Sequence, residues 1–178
     1  MQLQNKILFI GPMGAGKTTA IQSLSEGNAA TTEVRNSNRE LYDKQTTTVA
    51  MDYGFIQLDE NQQVHLYGIP GQKHFAPVWP VIAKGAIGAV LLVNAGHPDW
   101  QKDTLYLLQA FRDLVENGSV VVAANRIDDS QMQQLSALLA EHECFLPVLP
   151  TDPRNRDDLV LALEILIANL EVETYINE

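Results

Sequence analysis

Lys6-Ile7-Leu8-Phe9-Ile10-Gly11-Pro12-Met13-Gly14-Ala15-Gly16-Lys17-Thr18 decides how the rest of the chain is read. Lys6–Ile10 has the apolar continuity of a buried strand, and it runs straight into a glycine-rich turn. Thr18–Ser25 then has helical character. The turn matches G-x-x-x-x-G-K-[ST] in full, between a strand and a helix, where phosphate binding needs it. Gly11, Gly14 and Gly16, with Ala15 among them, let successive backbone N–H groups curl around phosphate oxygens, and the helix N-terminus adds positive potential. Lys17 is placed to reach the outer phosphates. The Thr18 hydroxyl is placed to ligate Mg²⁺, an ion that keeps several waters and takes few protein groups. Thr19 follows as a further nucleotide contact. A chance glycine-rich turn is the competing reading, and the strand–helix context weighs against it.

Outward from this turn, short β-rich runs alternate with helical patterns. Helix Thr18–Ser25 should stop near Gly27-Asn28. Residues 29–47 are polar and patternless, which suggests a long exposed loop. Val49–Leu58 and Gln63–Tyr67 flank Asp59-Glu60-Asn61-Gln62 and should form an antiparallel hairpin. Ala86–Asn94 and Val120–Asn125 are almost wholly apolar, as strands covered on both faces are. Thr104–Glu116 places Leu105, Leu108, Phe111 and Val115 on one helical face, and Ser130–Glu141 repeats the pattern through Met132, Leu135 and Leu139. Pro147 demotes Phe145–Leu149 to an edge strand. The last helix, Asp158–Leu170, opens on acids that suit its N-terminal dipole. The sum is a three-layer α/β domain of six strands, mostly parallel with one antiparallel member.

The 178 residues carry a net charge of −10, and residues 141–178 hold nine acids against two arginines. That balance argues against general affinity for nucleic acid or anionic lipid, both polyanions. A single cysteine, Cys144, rules out an intrachain disulfide framework and fits a reducing compartment. No signal-peptide order, acylation signal or membrane-length apolar run is present. The expectation is one soluble, cytoplasmic domain over residues 1–178 with no lipid anchor. His65, His74, His97 and His142 are scattered without metal-ligand spacing. Cys144 reads as a buried small hydrophobe. Phe75, Val78 and Trp79 are either core filling or an exposed partner surface.

Three further segments carry chemistry. Asn125-Arg126-Ile127-Asp128 follows an apolar strand and resembles the guanine-specificity motif N-[K/Q]-x-D of small GTPases, with Arg in the Lys place. A carboxylate can accept two hydrogen bonds from guanine N1–H and the exocyclic amine, a donor pair adenine lacks. Asp128 would do so, Asn125 would brace neighbouring loops, and the Arg126 stem would cover the base face. Gly68-Ile69-Pro70-Gly71-Gln72 resembles the D-x-x-G-Q switch motif, in which Gly71 N–H contacts the γ-phosphate and Gln72 orients the attacking water. Gly68 stands where that family has an Asp supporting Mg²⁺, so weakened Mg²⁺ holding is expected. Thr46-Thr47-Thr48-Val49-Ala50-Met51-Asp52-Tyr53-Gly54 resembles the entry to the second strand in Ras and Rab proteins; on that match Thr48 is the switch threonine and a Mg²⁺ ligand, Thr46 and Thr47 are weaker candidates, and a Thr-rich strand start is the competing reading. The S-A-K motif is replaced by Pro150-Thr151-Asp152-Pro153-Arg154, where a backbone N–H of Thr151 or Asp152 could still reach guanine O6.

Taken together, the chain resembles a Ras-superfamily small GTPase, nearest to the bacterial MglA-type group that pairs with roadblock (MglB-like) proteins. The resemblance implies a Ras-like P-loop NTPase fold with about five helices, GTP and GDP with Mg²⁺ as ligands, and partner-assisted hydrolysis with Gln72 and Lys17 as catalytic residues. Arg35 or Arg39 could act in cis on the developing charge, or be an ordinary solvated arginine beside Glu33 and Glu40. Two other functions compete with a GTP-hydrolysing switch. One is a nucleotide-dependent binding module with little hydrolysis, which Gly68 motivates. The other is an ATP-using kinase or ATPase, against which Asp128 speaks.

Overall fold

The computed structural model describes residues 5–25, 30–35, 48–58, 60 and 62–176. The chain runs β1 (Asn5–Ile10), α1 (Lys17–Ser25), β2 (Ala30–Arg35), β3 (Thr48–Gln57), β4 (Gln63–Gly68), a 3-10 turn (Lys73–Val78), α2 (Trp79–Ala83), β5 (Ala86–Asn94), α3 (Trp100–Ala110), α4 (Arg112–Glu116), β6 (Val120–Asn125), α5 (Asp129–Glu141), β7 (Val148–Pro150) and α6 (Arg156–Ile176).

Among the described residues one sheet holds every strand, in the order β2-β3-β4-β1-β5-β6-β7. The most apolar strands lie in its middle, where water reaches neither face. Alternation along β1 sorts its side chains into two cores. Leu8 and Ile10 join Leu91, Trp79, Leu107 and Leu135 on the side covered by α2, α3 and α5. Ile7 and Phe9 join Ile21, Leu24, Leu163 and Leu166 on the side covered by α1 and α6. This is the expected three-layer α/β architecture, and β3 with β4 forms the expected antiparallel hairpin, from Asp52 opposite Gly68 to Gln57 opposite Gln63. The pairs β1–β4, β1–β5, β5–β6 and β6–β7 are parallel. Their C-terminal ends therefore collect at one edge of the sheet, where doubly wound folds bind ligands.

The sheet has a seventh strand that the sequence reading put inside an exposed loop. Residues 30–35 pair antiparallel with β3, from Ala30 opposite Tyr53 to Arg35 opposite Thr48. Thr31, Thr32 and Val34 have β-branched side chains, and the free edge of the ten-residue β3 offers them a partner. The polarity of Thr31, Thr32, Glu33 and Arg35 is what an edge strand tolerates. The Gly27-Asn28 cap, Arg39, Thr46 and Thr47 lie outside the described residues.

The described residues form six helices, beside the expectation of about five. The pattern read over Thr104–Glu116 is two helices, α3 starting earlier at Trp100 and α4 restarting after Phe111, whose φ of −110° and ψ of 33° break the ladder. Buried Leu107 replaces Leu105 on the core face. Trp79 and Val78 are core filling, at 2% and 5% exposure. Cys144 is only half-buried, and its thiol donates to His142 O at 3.5 Å. Among the described residues no helix is long and apolar enough to cross a membrane, and no cluster of His, Cys, Asp or Glu could hold a metal ion.

Candidate functional site

The turn between β1 and α1 is shaped by its glycines. Gly16 has φ +103°, and a Cβ there would stand 2.7 Å from Pro153 Cγ, so both backbone and space demand glycine. Ala15 is fully buried beneath the turn. Two cavities flank the loop and share Gly14, Gly16 and Thr19. One, of about 430 Å³, is lined by Lys17, Thr18, Asp52, Gly68, Gly71 and Gln72 among others. The other, of about 400 Å³, is lined by Asn125, Arg126, Asp152, Pro153 and Arg154.

In the first cavity the Lys17 ammonium donates to Gly11 O and Pro12 O, each at 2.8 Å. Burial pulls its pKa down to about 8, partly offset by the Asp52 carboxylate. This predicts a pH dependence. The free chain loses the Lys17 charge as pH rises through about 8, while a bound polyphosphate would hold the proton. Phosphate-ligand affinity should therefore be constant below pH 7 and fall above pH 8, by up to tenfold per pH unit, until the pKa of the bound state is passed. In the unliganded fold the sign reverses. A lysine with a depressed pKa destabilises the fold below pH 8, and stability from this group rises between pH 8 and its ordinary value of 10.5. Calorimetric binding from pH 6.5 to 9.5 checks the first; thermal melts of nucleotide-free protein check the second.

Asp52 is the residue that the sequence reading missed. Thr18 Oγ1 donates to Asp52 Oδ2 at 2.5 Å. Alternation along β3 sends Met51 into the α2/α3 core and turns Asp52 with Gly54 toward α1. Gly68 lies directly opposite Asp52 in the ladder. A Cβ on Gly68 would come 3.1 Å from Asp52 Cβ and 3.3 Å from its Oδ2. The carboxylate expected at the end of β4 thus stands one strand over, occupying the space that a side chain at 68 would enter. The available signal was the pairing itself: an acid inside a strand, opposite the glycine where an acid was missing.

The segment after β4 closes the cavity. Gly71 lies so tightly on the phosphate loop that a Cβ would stand 2.3 Å from Gly11 O. Gln72 Nε2 is 3.6 Å from Met13 Sδ. Trp79 Nε1 donates to Pro70 O at 2.9 Å and ties the segment to the core. Thr48 opens β3 opposite Arg35.

At the second cavity, Asn125 Nδ2 donates to Ala15 O at 3.4 Å. Arg126 takes φ 55°, and its Cδ lies 3.3 Å from where a Cβ on Gly96 would be. Asp128 does not line this cavity. It caps α5 in a capping box: its Oδ1 accepts from Gln131 N at 2.7 Å, and its own N–H donates to Gln131 Oε1 at 3.1 Å. Thr151 is buried, and Asp152 faces the cavity paired with Arg154.

Residues 6–128 match the family described as Roc, the Ras of Complex domain of DAPkinase. No curated protein matches the chain. Among solved structures, the G domain of the T. maritima FeoB iron transporter is similar with a TM-score of 0.59 at 18% identity, over 96% of this chain and 99% of that one. The cytosolic domain of the same transporter in GMPPNP form has a TM-score of 0.59 at 16% identity, over 93% of this chain and 63% of that one. The structural likeness establishes the Ras-like P-loop fold. With the sequence match running from β1 to the end of the Asn125–Asp128 motif, the chain belongs to the Roc family of Ras-like GTPase domains.

Proposed function

We propose that this chain is a single-domain guanine-nucleotide switch with slow, partner-stimulated GTP hydrolysis. The observation that carries the reading is the convergence of Lys17, Thr18 and Asp52 under the phosphate loop, with Thr18 Oγ1 on Asp52 at 2.5 Å. A hydroxyl that gives its proton to a carboxylate turns its lone pairs outward, as a Mg²⁺ ligand must. The donor set therefore suits Mg²⁺: Thr18, with Thr48 from β3, would hold the ion and Asp52 would support it from behind. Mg²⁺ when bound neutralises charge on the outer phosphate oxygens.

The chain's own residues have these tasks. Lys17 exchanges the Gly11 and Pro12 carbonyls for phosphate oxygens. Gly71 N–H contacts the γ-phosphate, and Gln72 leaves Met13 to orient the attacking water. Asn125 braces the phosphate loop through Ala15, the Arg126 stem covers the base, and Asp128 accepts the guanine donors with the lone pairs its helix cap leaves free. A γ-phosphate that holds Gly71 and Thr48 makes the two flanking segments its readout. The resemblance to MglA-type proteins favours a roadblock-type activator, and the single cysteine favours a reducing, cytoplasmic setting.

A second reading, a binding module with little hydrolysis, is favoured by the Gln72–Met13 contact, which keeps the amide off a water. The test is to denature purified protein and identify the nucleotide released, then to follow phosphate release from GTP with Mg²⁺. GDP or GTP is expected, with unaided turnover on the order of 10⁻³ s⁻¹ or slower and an increase on adding a roadblock partner. Adenine nucleotide, or none together with no binding of added GTP, overturns the guanine reading. Tight GTP binding without phosphate release under any condition selects the module.

A further inference from the structure

The loop after β7 should face O6 of a bound guanine, and a backbone N–H from Thr151 or Asp152 is the simplest donor for it. The hydrogen bonds of that loop leave no such donor. Thr151 N–H donates to Ala124 O at 2.9 Å. Asp152 N–H is taken by Asp158 Oδ2 at 2.9 Å. Pro153 has no N–H. Arg154 N–H goes to Asp152 Oδ1 at 2.9 Å, and Asn155 N–H to Asp152 O at 2.8 Å. Freeing Thr151 N–H or Asp152 N–H to serve a base would break the bond that ties the loop to Ala124 O of β6 or to Asp158 Oδ2 of α6.

A side chain at the same place can serve instead. Arg154 lines the cavity beside Asn125, Arg126 and Asp152. Its guanidinium is gripped through Nε, at 2.9 and 3.2 Å, and Nη2, at 2.7 Å, by the Asp152 carboxylate. Nη1 is the terminal nitrogen not on that carboxylate. Arg154 is largely exposed, at 81% for its side chain, so without Asp152 its planar head would be free to wander. Asp152 itself is held down at about pKa 2, chiefly by its hydrogen bonds from Arg154, so the pair persists across ordinary pH.

We propose that Arg154, pre-oriented by Asp152, is the donor that recognises O6 of the guanine base in place of a backbone N–H. Arginine is a natural partner for guanine O6 and N7, and adenine, which presents an amino group at that position, would meet a donor with a donor. Arg126 has a different part, since its stem lies along Gly96 as a cover for the base face. The inference rests on the guanine reading of the site, and it adds a specificity residue that the sequence motifs do not contain.

Three diphosphates separate the contacts. GDP has O6, N1–H and the amine. Inosine diphosphate lacks only the amine. 6-Thioguanosine diphosphate keeps N1–H and the amine but carries sulfur, a much weaker acceptor, in place of O6. Arg154→Ala should weaken GDP and inosine diphosphate alike by about tenfold or more and leave 6-thioguanosine diphosphate within about twofold. Arg154→Lys, which keeps the charge without the fork, should recover only part of the loss. Asp152→Asn should lower GDP affinity in the same direction by releasing the guanidinium. Unchanged GDP affinity in Arg154→Ala overturns the inference, as does equal loss on all three ligands or a parent chain indifferent to the sulfur. The guanine reading survives those outcomes as long as the parent prefers GDP over inosine diphosphate and ADP. A parent that binds no guanine nucleotide overturns both.

Discussion

Asp52→Ala should release GDP in millimolar Mg²⁺ at least about tenfold faster than the parent chain, and in excess chelator the two should release it at similar rates. The reason is the hydrogen bond from Thr18 Oγ1. Removing its acceptor frees the hydroxyl to rotate, so its lone pairs no longer face the metal, and disturbing such a supporting partner typically costs about 10–100-fold in metal affinity. The same change removes the negative charge that sustains the Lys17 ammonium against burial, so phosphate affinity near pH 8 should fall further than at pH 6.5. A reciprocal test follows from the ladder. Gly68→Asp in the parent would force two carboxylates together across one rung, where even a Cβ comes 3.1 Å from that of Asp52, and should lower the melting temperature. In the Asp52→Ala background the opposing carboxylate is gone while the Cβ at 52 and Ile21 Cδ1 each still stand 3.1 Å from a Cβ at 68, so the same substitution should restore slow release in Mg²⁺ in part. Equal GDP off-rates for parent and Asp52→Ala in Mg²⁺ would remove Asp52 from the site.

Asp128→Ala should weaken GDP binding by roughly 100-fold and abolish the preference for GDP over inosine diphosphate, because a base whose donors find no acceptor keeps its desolvation cost. The structure adds a second effect. Asp128 Oδ1 caps α5 through Gln131 N, and Gln131 Nε2 in turn donates to Ala95 O at 2.8 Å. Loss of the cap should cost about 1 kcal/mol of stability, visible in melts without nucleotide. Asp128→Asn separates the two, since asparagine caps helices as well as aspartate does: stability should stay near that of the parent while the nucleotide preference is lost. If Asp128→Asn keeps full discrimination against inosine diphosphate, the base is read elsewhere.

The phosphate loop was legible because its chemistry is local: the glycines, Lys17 and Thr18 are consecutive, and the strand before and helix after them carry their own patterns. The central strands were equally plain, since burial on both faces leaves an unbroken apolar run. What the sequence hid depends on pairing across strands. Asp52 has no neighbour in sequence that marks it, and only the β3–β4 register sets it against Gly68 and within reach of Thr18. β2 was hidden for a related reason, because Ala30-Thr31-Thr32-Glu33-Val34-Arg35 has no apolar period to read. The division of α3 from α4 at Phe111 is a backbone event inside a continuous helical pattern, and periodicity does not register it. The loop after β7 looked able to offer backbone donors because hydrogen-bond partners such as Ala124 and Asp158 are invisible until the chain folds.

Pro153 rests on Gly16, and its carbonyl accepts from Ser23 Oγ of α1 at 2.9 Å. The ends of the ligand's seat are therefore hinged to each other through one proline. Displacing Pro153 would act at once on the phosphate loop at Gly16 and on α1 at Ser23.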